Sequence, residues 1–270
     1  MPGTRRQRLD RAPDKGASAM CCFVCPVAGP WERPWFGAPC HFGISMAKTY
    51  IGVDLGCSAM SGGGPKSAVA ILDADGQLCR EVKHFRQAKV LVEAVSGLDR
   101  KSMIMAVDAP RSVPDHAAEN YAYRSCEKAI KEIDPHAGTF SGAAALFIRW
   151  YEIEERYFRT VRVIETYPRV IWAHLKLPGK AKDFTKHKAA VYRAIKRITG
   201  APCHGFDHHQ IDALLCAYTA LCYDRGEVAW FGQAGEGLII IPAPGTHNPL
   251  SSHAERIAQK YRRFTSMVAR

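Results

Sequence analysis

The stretch Tyr50-Ile51-Gly52-Val53-Asp54 decides the fold, because a short apolar run that ends on a turn signal indicates a buried strand. The strand is expected to begin near Lys48 and to end on the carboxylate of Asp54. Gly56 and the segment Gly62-Gly63-Gly64-Pro65 follow, and their composition predicts a flexible turn. A carboxylate is therefore expected at one edge of the sheet to which this strand belongs.

Three further extended segments follow this strand in the sequence. An apolar run at 67–72 leads through the turn Asp73-Ala74-Asp75-Gly76 into a third strand at 77–85. The apolar run 103–107, which ends on Asp108 and is terminated by Pro110, predicts a buried central strand. The sheet should thus begin with three antiparallel strands and continue through a central one.

Helical spacing alternates with short strands over the rest of the chain. Helices are predicted at 88–96, 116–133, 142–158, 169–175, 185–199, 208–223 and, as a basic C-terminal helix, 253–269. Short strands are predicted at 161–164, 228–231 and 238–241. The order of these elements predicts an α/β fold in which helices cover both faces of a mixed sheet.

Composition is that of an ordinary globular protein, since 47% of the 270 residues are hydrophobic and 23% are charged. Residues 46–270 are predicted to form one domain that starts at Met46, directly before the first strand. Residues 1–45 show no strand or helix period, and we expect them to be disordered or a wrongly extended N-terminus. Most of the ten cysteines stand singly among apolar residues, which indicates buried free thiols.

The domain is basic. Of the formal net charge of +11, three units fall on residues 1–45 and eight on the remainder. Such an excess suits a polyanionic partner such as nucleic acid. The stretch 176–197 includes Lys186 and Arg193 and predicts either a surface that follows a nucleic-acid backbone or a solvated helix face.

Membrane insertion is not expected from the sequence. No apolar run approaches the roughly 18 to 20 residues that crossing a bilayer requires. The N-terminal segment also lacks the apolar core and cleavage site of a secretory signal. The cytoplasm is therefore the expected location, and the oligomeric state stays open.

Four acidic residues stand beside apolar segments, where a carboxylate is unfavourable unless it binds a partner or has a function. Asp54, Asp108 and Glu165 each follow an apolar strand, and the carboxyl ends of parallel strands are where α/β sheets bind ligands. Asp212 lies in an otherwise apolar helix, and its spacing from His209 puts both side chains on one helix face. The four acids are the candidate catalytic residues, and Asp54, Asp108, His209 and Asp212 are the candidate metal ligands.

Converging carboxylates suit Mg²⁺ or Mn²⁺, which take oxygen ligands and keep positions for water and substrate phosphates. A structural alternative remains for each residue. A strand-end aspartate can cap the next turn, and His209 can be a partner of Asp207.

Two arginines are candidate substrate contacts beside the acids. Arg111 follows Asp108 closely and would lie at the same edge of the sheet, within reach of a substrate phosphate. Arg124 and Glu127 are one helical turn apart, so they form either a simple ion pair or a pair that faces the substrate. Lys186 and Arg193 complete the predicted substrate-binding set.

Five short strings occur in this order in the chain: Ile51-Gly52-Val53-Asp54, Val107-Asp108-Ala109-Pro110, Arg124-Ser125-Cys126-Glu127, Glu165-Thr166-Tyr167-Pro168 and Gln210-Ile211-Asp212-Ala213-Leu214. Together they resemble the family called predicted nuclease of RNase H fold (domain of unknown function 429). The similarity covers about 50–242. The combination is specific, although each string alone is weak.

The resemblance implies a ribonuclease-H-like fold and the metal-dependent nuclease activity that has been proposed for that family. The chain is also similar, more distantly, to Holliday-junction resolvases of the RuvC type. Those proteins place acids on the first and fourth strands and two ligands on a late helix, a pattern that Asp54, Asp108, His209 and Asp212 match. His209 stands where those proteins more often have an acid, so the binding of a second metal stays open.

The resulting hypothesis is a Mg²⁺- or Mn²⁺-dependent hydrolase of nucleic-acid phosphodiester bonds. One alternative is a nucleotide-binding phosphotransferase, because Asp54-Leu55-Gly56 and the Gly62-Gly63-Gly64 loop resemble the first phosphate loop of the actin and hexokinase superfamily. That superfamily uses two such domains, and this chain offers one. A second alternative is a non-catalytic ribonuclease-H-like scaffold, in which the acids only support the sheet.

Overall fold

Two hydrophobic strands of equal length lie side by side in the computed structural model of the chain. Strand β1 (Thr49–Asp54) pairs in parallel with β4 (Met103–Asp108), and Asp54 stands opposite Asp108 in the register. Nearly all of their residues are buried, as expected for parallel strands that are covered on both faces. The pairing places the two carboxylates at the same edge of the sheet.

The structure describes residues 48–56, 66–113, 123–179, 183–233 and 237–245. Within these ranges the other strands are β2 (Ser67–Leu72), β3 (Lys83–Phe85), β5 (Arg162–Glu165), β6 (Val228–Gln233) and β7 (Gly237–Pro242). Together with β1 and β4 they form one seven-stranded sheet in the order β3-β2-β1-β4-β5-β7-β6. Strands β1, β4, β5 and β7 run parallel, while β2, β3 and β6 pair antiparallel with their neighbours.

Helices cover both faces of the sheet, so the mixed α/β architecture predicted from the sequence is confirmed. They are α1 (Ala88–Ala94), α2 (Ser125–Ile130), α3 (Phe140–Ile153), α4 (Pro168–His174), α5 (Phe184–Thr199) and α6 (His208–Arg225), and a π-helical turn at Glu154–Phe158 extends α3. One apolar cluster joins alternate strand residues to α4, α5 and α6, and a second joins the intervening residues to α1 and α3. This alternation is the period of two that separates the faces of a strand.

Glycine at position 52 allows α6 to lie directly against β1. A Cβ atom built on Gly52 would lie 1.9 Å from the carbonyl oxygen of Ala213 and 2.2 Å from the backbone nitrogen of Ala217. Those distances are far below any real contact, so no larger residue fits without movement of the helix. The close approach brings the first turn of α6 next to the end of β1.

The third strand is shorter than predicted. The turn after β2 forms as expected, with the Asp73 carboxylate accepting bonds from the backbone of Asp75 and Gln77. Pairing then consists of an isolated bridge between Leu72 and Leu78 and resumes only at β3. The arginine in this gap, Arg80, instead donates to the carbonyl oxygen of Ala94 at the end of α1.

Several predicted segments lie outside the described residues: residues 1–45, the glycine-rich loop, the first part of the helix predicted at 116–133, and the basic helix at 253–269. Of the cysteines in the described ranges, Cys126, Cys203, Cys216 and Cys222 are buried free thiols, as predicted, while Cys79 is exposed.

Candidate functional site

His209 and Asp54 meet at the carboxyl end of β1. The side chain of Asp207 caps the backbone nitrogen of Gln210, and Gln210 bonds back to Asp207, so this capping box fixes where α6 begins. His209, in the first turn, then has Nδ1 2.7 Å from Oδ2 of the buried Asp54. This hydrogen bond with Asp54 raises the pKa of His209 above its ordinary value.

Asp108 and Asp212 complete the group of acids. Burial raises the pKa of Asp108 well above its ordinary value, and the negative charges of Asp54, Asp212 and Glu165 raise it further. Burial and the charge of Asp54 likewise raise the pKa of Asp212. Because only groups close together in a protein interior affect one another in this way, the predicted acids share one region of the structure.

A hydrogen bond from α4 orients the Asp212 carboxylate. The indole Nε1 of Trp172 donates to Oδ1 of Asp212 over 2.8 Å, and Trp172 is itself buried. This bond favours the ionised form of Asp212 and offsets part of the effect of burial on its pKa. Trp172 is not among the predicted site residues, because nothing in an isolated helix pattern indicates a partner 40 positions away.

Glu165 is held by a buried arginine. Arg124 Nη1 and Nη2 donate to its two carboxylate oxygens over 2.9 and 2.5 Å, which is a bidentate pair. Arg124 Nε also donates to Glu127 over 2.9 Å, and the Arg124 side chain is only 1% exposed. The ion pair of Arg124 with Glu127 therefore forms, and the arginine is buried between two glutamates instead of facing substrate.

The remaining predicted contacts lie in different surroundings. Arg111 donates its backbone N–H to Glu165 over 2.9 Å, while its guanidinium pairs with Glu154 and donates to the carbonyl oxygen of Val163. Lys186 and Arg193 are exposed on α5, and Lys186 pairs loosely with Asp183 at 3.4 Å. Contact of these three residues with nucleic acid stays a prediction, and for Arg111 it requires release from Glu154.

The donor set has the chemistry of a divalent cation site, since three carboxylates and one imidazole lie at one edge of the sheet. The side chain and the negative charge of Asp54 both raise the pKa of Asp108, so Asp108 holds its proton more tightly than a free carboxyl group does. Within the described ranges, no three His, Cys, Asp or Glu side chains have the spacing of a preformed metal site. The residue types therefore fit a hard cation. Binding of the cation would require the carboxyl groups to release the proton that they hold.

A comparison of the chain with family models, curated proteins and solved structures found no match. In the part of the chain that the structure describes, no helix has both the length and the apolarity needed to cross a bilayer.

Proposed function

We propose that the chain is a Mg²⁺- or Mn²⁺-dependent hydrolase that cleaves phosphodiester bonds in nucleic acid and has a ribonuclease-H-like fold. The observation that carries the proposal is the meeting of Asp54, Asp108, Asp212 and His209 at the carboxyl end of the parallel strands. These residues come from two strands and one late helix. The negative charge of Asp54 raises the pKa values of Asp108 and Asp212, and such repulsion between carboxylates favours a cation.

The order of the strands supports the fold assignment. Three antiparallel strands, β1 to β3, are followed by β4 and β5, which run parallel to β1. This is the arrangement that the resemblance to the predicted nuclease family implies. The acids also lie on the first strand, the fourth strand and a late helix, as they do in resolvases of the RuvC type.

Each residue has a distinct part in this proposal. Asp54, Asp108 and Asp212 bind the cation through oxygen, and His209 orients Asp54 or supplies a nitrogen ligand. A divalent cation in such a site stabilises negative charge on a phosphate group. Trp172 holds the Asp212 carboxylate in place by its hydrogen bond. Because Glu165 already binds Arg124 and the backbone of Arg111, it supports the segment after β4 in this scheme.

The test measures cleavage of single-stranded, duplex and branched DNA and RNA in the presence of Mn²⁺. Wild type is compared with Asp54→Asn and Asp212→Asn, which keep side-chain size and remove one negative charge. Asp75→Asn is the matched control, since Asp75 is exposed in the β2 hairpin turn at the opposite edge of the sheet. We expect the two site variants to lose at least about 100-fold in rate.

Two results would count against the proposal. Equal cleavage by wild type and both site variants would show that the activity does not come from these acids. Absence of cleavage on every substrate, together with thermal stability that ignores Mn²⁺, would favour the non-catalytic scaffold. The phosphotransferase alternative would require ATP binding that is lost in Asp54→Asn. Location in the cytoplasm stays a prediction.

A further inference from the structure

A groove of about 840 Å³ lies between α4 and the connection from α2 to α3. Its volume falls in the range of ligand-binding clefts in proteins. Ile133, Asp134 and His136 line one side, and Arg169, Trp172 and Lys176 line the other. Of these six residues, Trp172 is the one that the proposed cation site also uses, through its hydrogen bond with Asp212.

Trp172 joins the groove to the acids. Its indole Nε1 donates to Asp212, and the same side chain lines the groove. Trp172 therefore contacts both Asp212 and the groove. A strand whose phosphate lies at the acids would have its neighbouring nucleotides within reach of the groove.

Arg169 is positioned to bind an anion. Its Nε donates to Oδ2 of Asp134 over 2.6 Å, a contact that fixes the guanidinium plane, and its side chain is 36% exposed. Among the described residues, no side chain or carbonyl accepts a hydrogen bond from its two terminal nitrogens. Burial opposes the ionised form of Asp134, yet the bond with Arg169 lowers the pKa of Asp134 overall, so the pair stays ionised.

Lys176 adds a second positive charge in an unusual backbone conformation. It is the only non-glycine residue with positive φ in the described ranges, at 51°. It follows the end of α4, where the backbone nitrogen of Leu177 closes the helix on the carbonyl oxygen of Trp172 over 3.0 Å. Glycine is preferred at such a position, because the Cβ atom of any other residue lies too close to the following carbonyl oxygen. Because lysine stands at a position where its backbone conformation is unfavourable, we expect its positive charge to have a role.

The groove lining combines apolar walls with net positive charge. Arg169 and Lys176 outnumber the single carboxylate, Asp134, and His136 is exposed beside them. Surfaces that bind single-stranded nucleic acid pair cations with apolar or aromatic side chains in this way. We propose that this groove binds the phosphate groups of a single-stranded segment of nucleic acid next to the bond that is cleaved, an inference that rests on the proposed function.

The test measures the affinity of an end-labelled single-stranded oligonucleotide by fluorescence anisotropy at several salt concentrations. Asp54→Asn is the background, so that binding is measured without cleavage, and Arg169→Gln and Lys176→Gln are added singly. Lys89→Gln is the control, because Lys89 is 79% exposed on α1 at the other face of the sheet. Since Lys176 is exposed, its substitution leaves the fold intact.

We expect each groove variant to lower the slope of log affinity against log salt by about 0.7, the value for one lost phosphate contact on a single strand. The control should leave the slope unchanged. Unchanged slopes in both groove variants would overturn the proposal. Binding of a mononucleotide as tight as that of the oligonucleotide would also overturn it, because the groove would then hold a free nucleotide.

Hydrolysis of bis(p-nitrophenyl) phosphate with Mn²⁺ by the wild-type chain separates this inference from the proposed function. This small diester reaches the acids without filling the groove, so Arg169→Gln and Lys176→Gln should hydrolyse it at the wild-type rate. A lower rate in both variants would show that they act on the acids and would overturn the groove assignment. If neither the wild type nor any variant hydrolyses this diester, the proposed activity fails. The salt slopes then still decide whether the groove binds a strand.

Discussion

The Asp54 carboxylate and the His209 imidazole, 155 positions apart in the chain, lie 2.7 Å from each other at the end of β1. Their hydrogen bond raises the pKa of His209, so the pair holds a proton more tightly than a free histidine would. A cation that binds at Asp54 or His209 must compete with that proton.

Mn²⁺ binding should therefore become tighter as the pH rises. The pKa of His209 lies above its ordinary value of 6.5, and a cation gains affinity as the pH increases through the raised value. In His209→Gln, the dependence of log affinity on pH should be shallower by about one proton. Isothermal titration calorimetry in buffers on both sides of neutrality measures the slopes. The prediction fails if wild type and His209→Gln have the same slope.

Stability without metal should depend on pH through Asp108. Burial and the charges of Asp54 and Asp212 raise the pKa of Asp108, so the folded state holds this proton more tightly than the unfolded chain. Its contribution to stability is present below about pH 3.9, the ordinary value, and declines as the pH rises to the raised value. Asp108→Asn should therefore unfold at a higher temperature than wild type at neutral pH in EDTA, by several degrees.

The difference in melting temperature between Asp108→Asn and wild type should shrink at acid pH, where the wild-type carboxyl is protonated. Asp75→Asn should show no such difference, because Asp75 is exposed in a turn. Addition of Mn²⁺ should raise the melting temperature of wild type more than that of Asp108→Asn. A melting temperature of Asp108→Asn at or below the wild-type value throughout would contradict the proposed repulsion.

Gly52→Ala should destabilise the chain strongly. The added methyl group would lie 1.9 Å from the carbonyl oxygen of Ala213, so α6 must move away from β1. A cost of about 3 kcal/mol is expected, at the upper end for overpacking. Gly142→Ala is the control, since the nearest atom to an added Cβ there is 3.6 Å away in the first turn of α3. Urea unfolding gives both free energies, and equal values would contradict the close approach.

Arg124→Met should also destabilise the fold, for an electrostatic reason. The substitution leaves Glu127 and Glu165 buried without their cation, and loss of one member of a buried ion network costs about 3 to 5 kcal/mol. Adding Glu165→Gln to Arg124→Met should recover part of the loss, because one uncompensated charge is removed. Urea unfolding of the two single variants and the double variant measures the recovery. A purely additive result would show that Arg124 and Glu165 are not coupled.

Much of the architecture could be predicted from local pattern. The apolar runs of strands β1, β2 and β4 end on clear turn signals, so they predict the bounds of these strands to within a residue or two. The third strand was overestimated, since its alternation does not show that Arg80 turns away to the end of α1. The local pattern also predicts the last two strands. It does not predict their order in the sheet, in which β7 lies beside β5 and β6 forms the edge.

The sequence by itself determined which acids end apolar strands and which helix carries Asp212 with His209, because these depend only on the periods of strand and helix. Tertiary structure decided their partners. Asp54 contacts His209, Trp172 holds Asp212, and Glu165 is bound by Arg124. Such contacts depend on strand register and on the close approach of α6 at Gly52, which are set by packing between segments far apart in the chain.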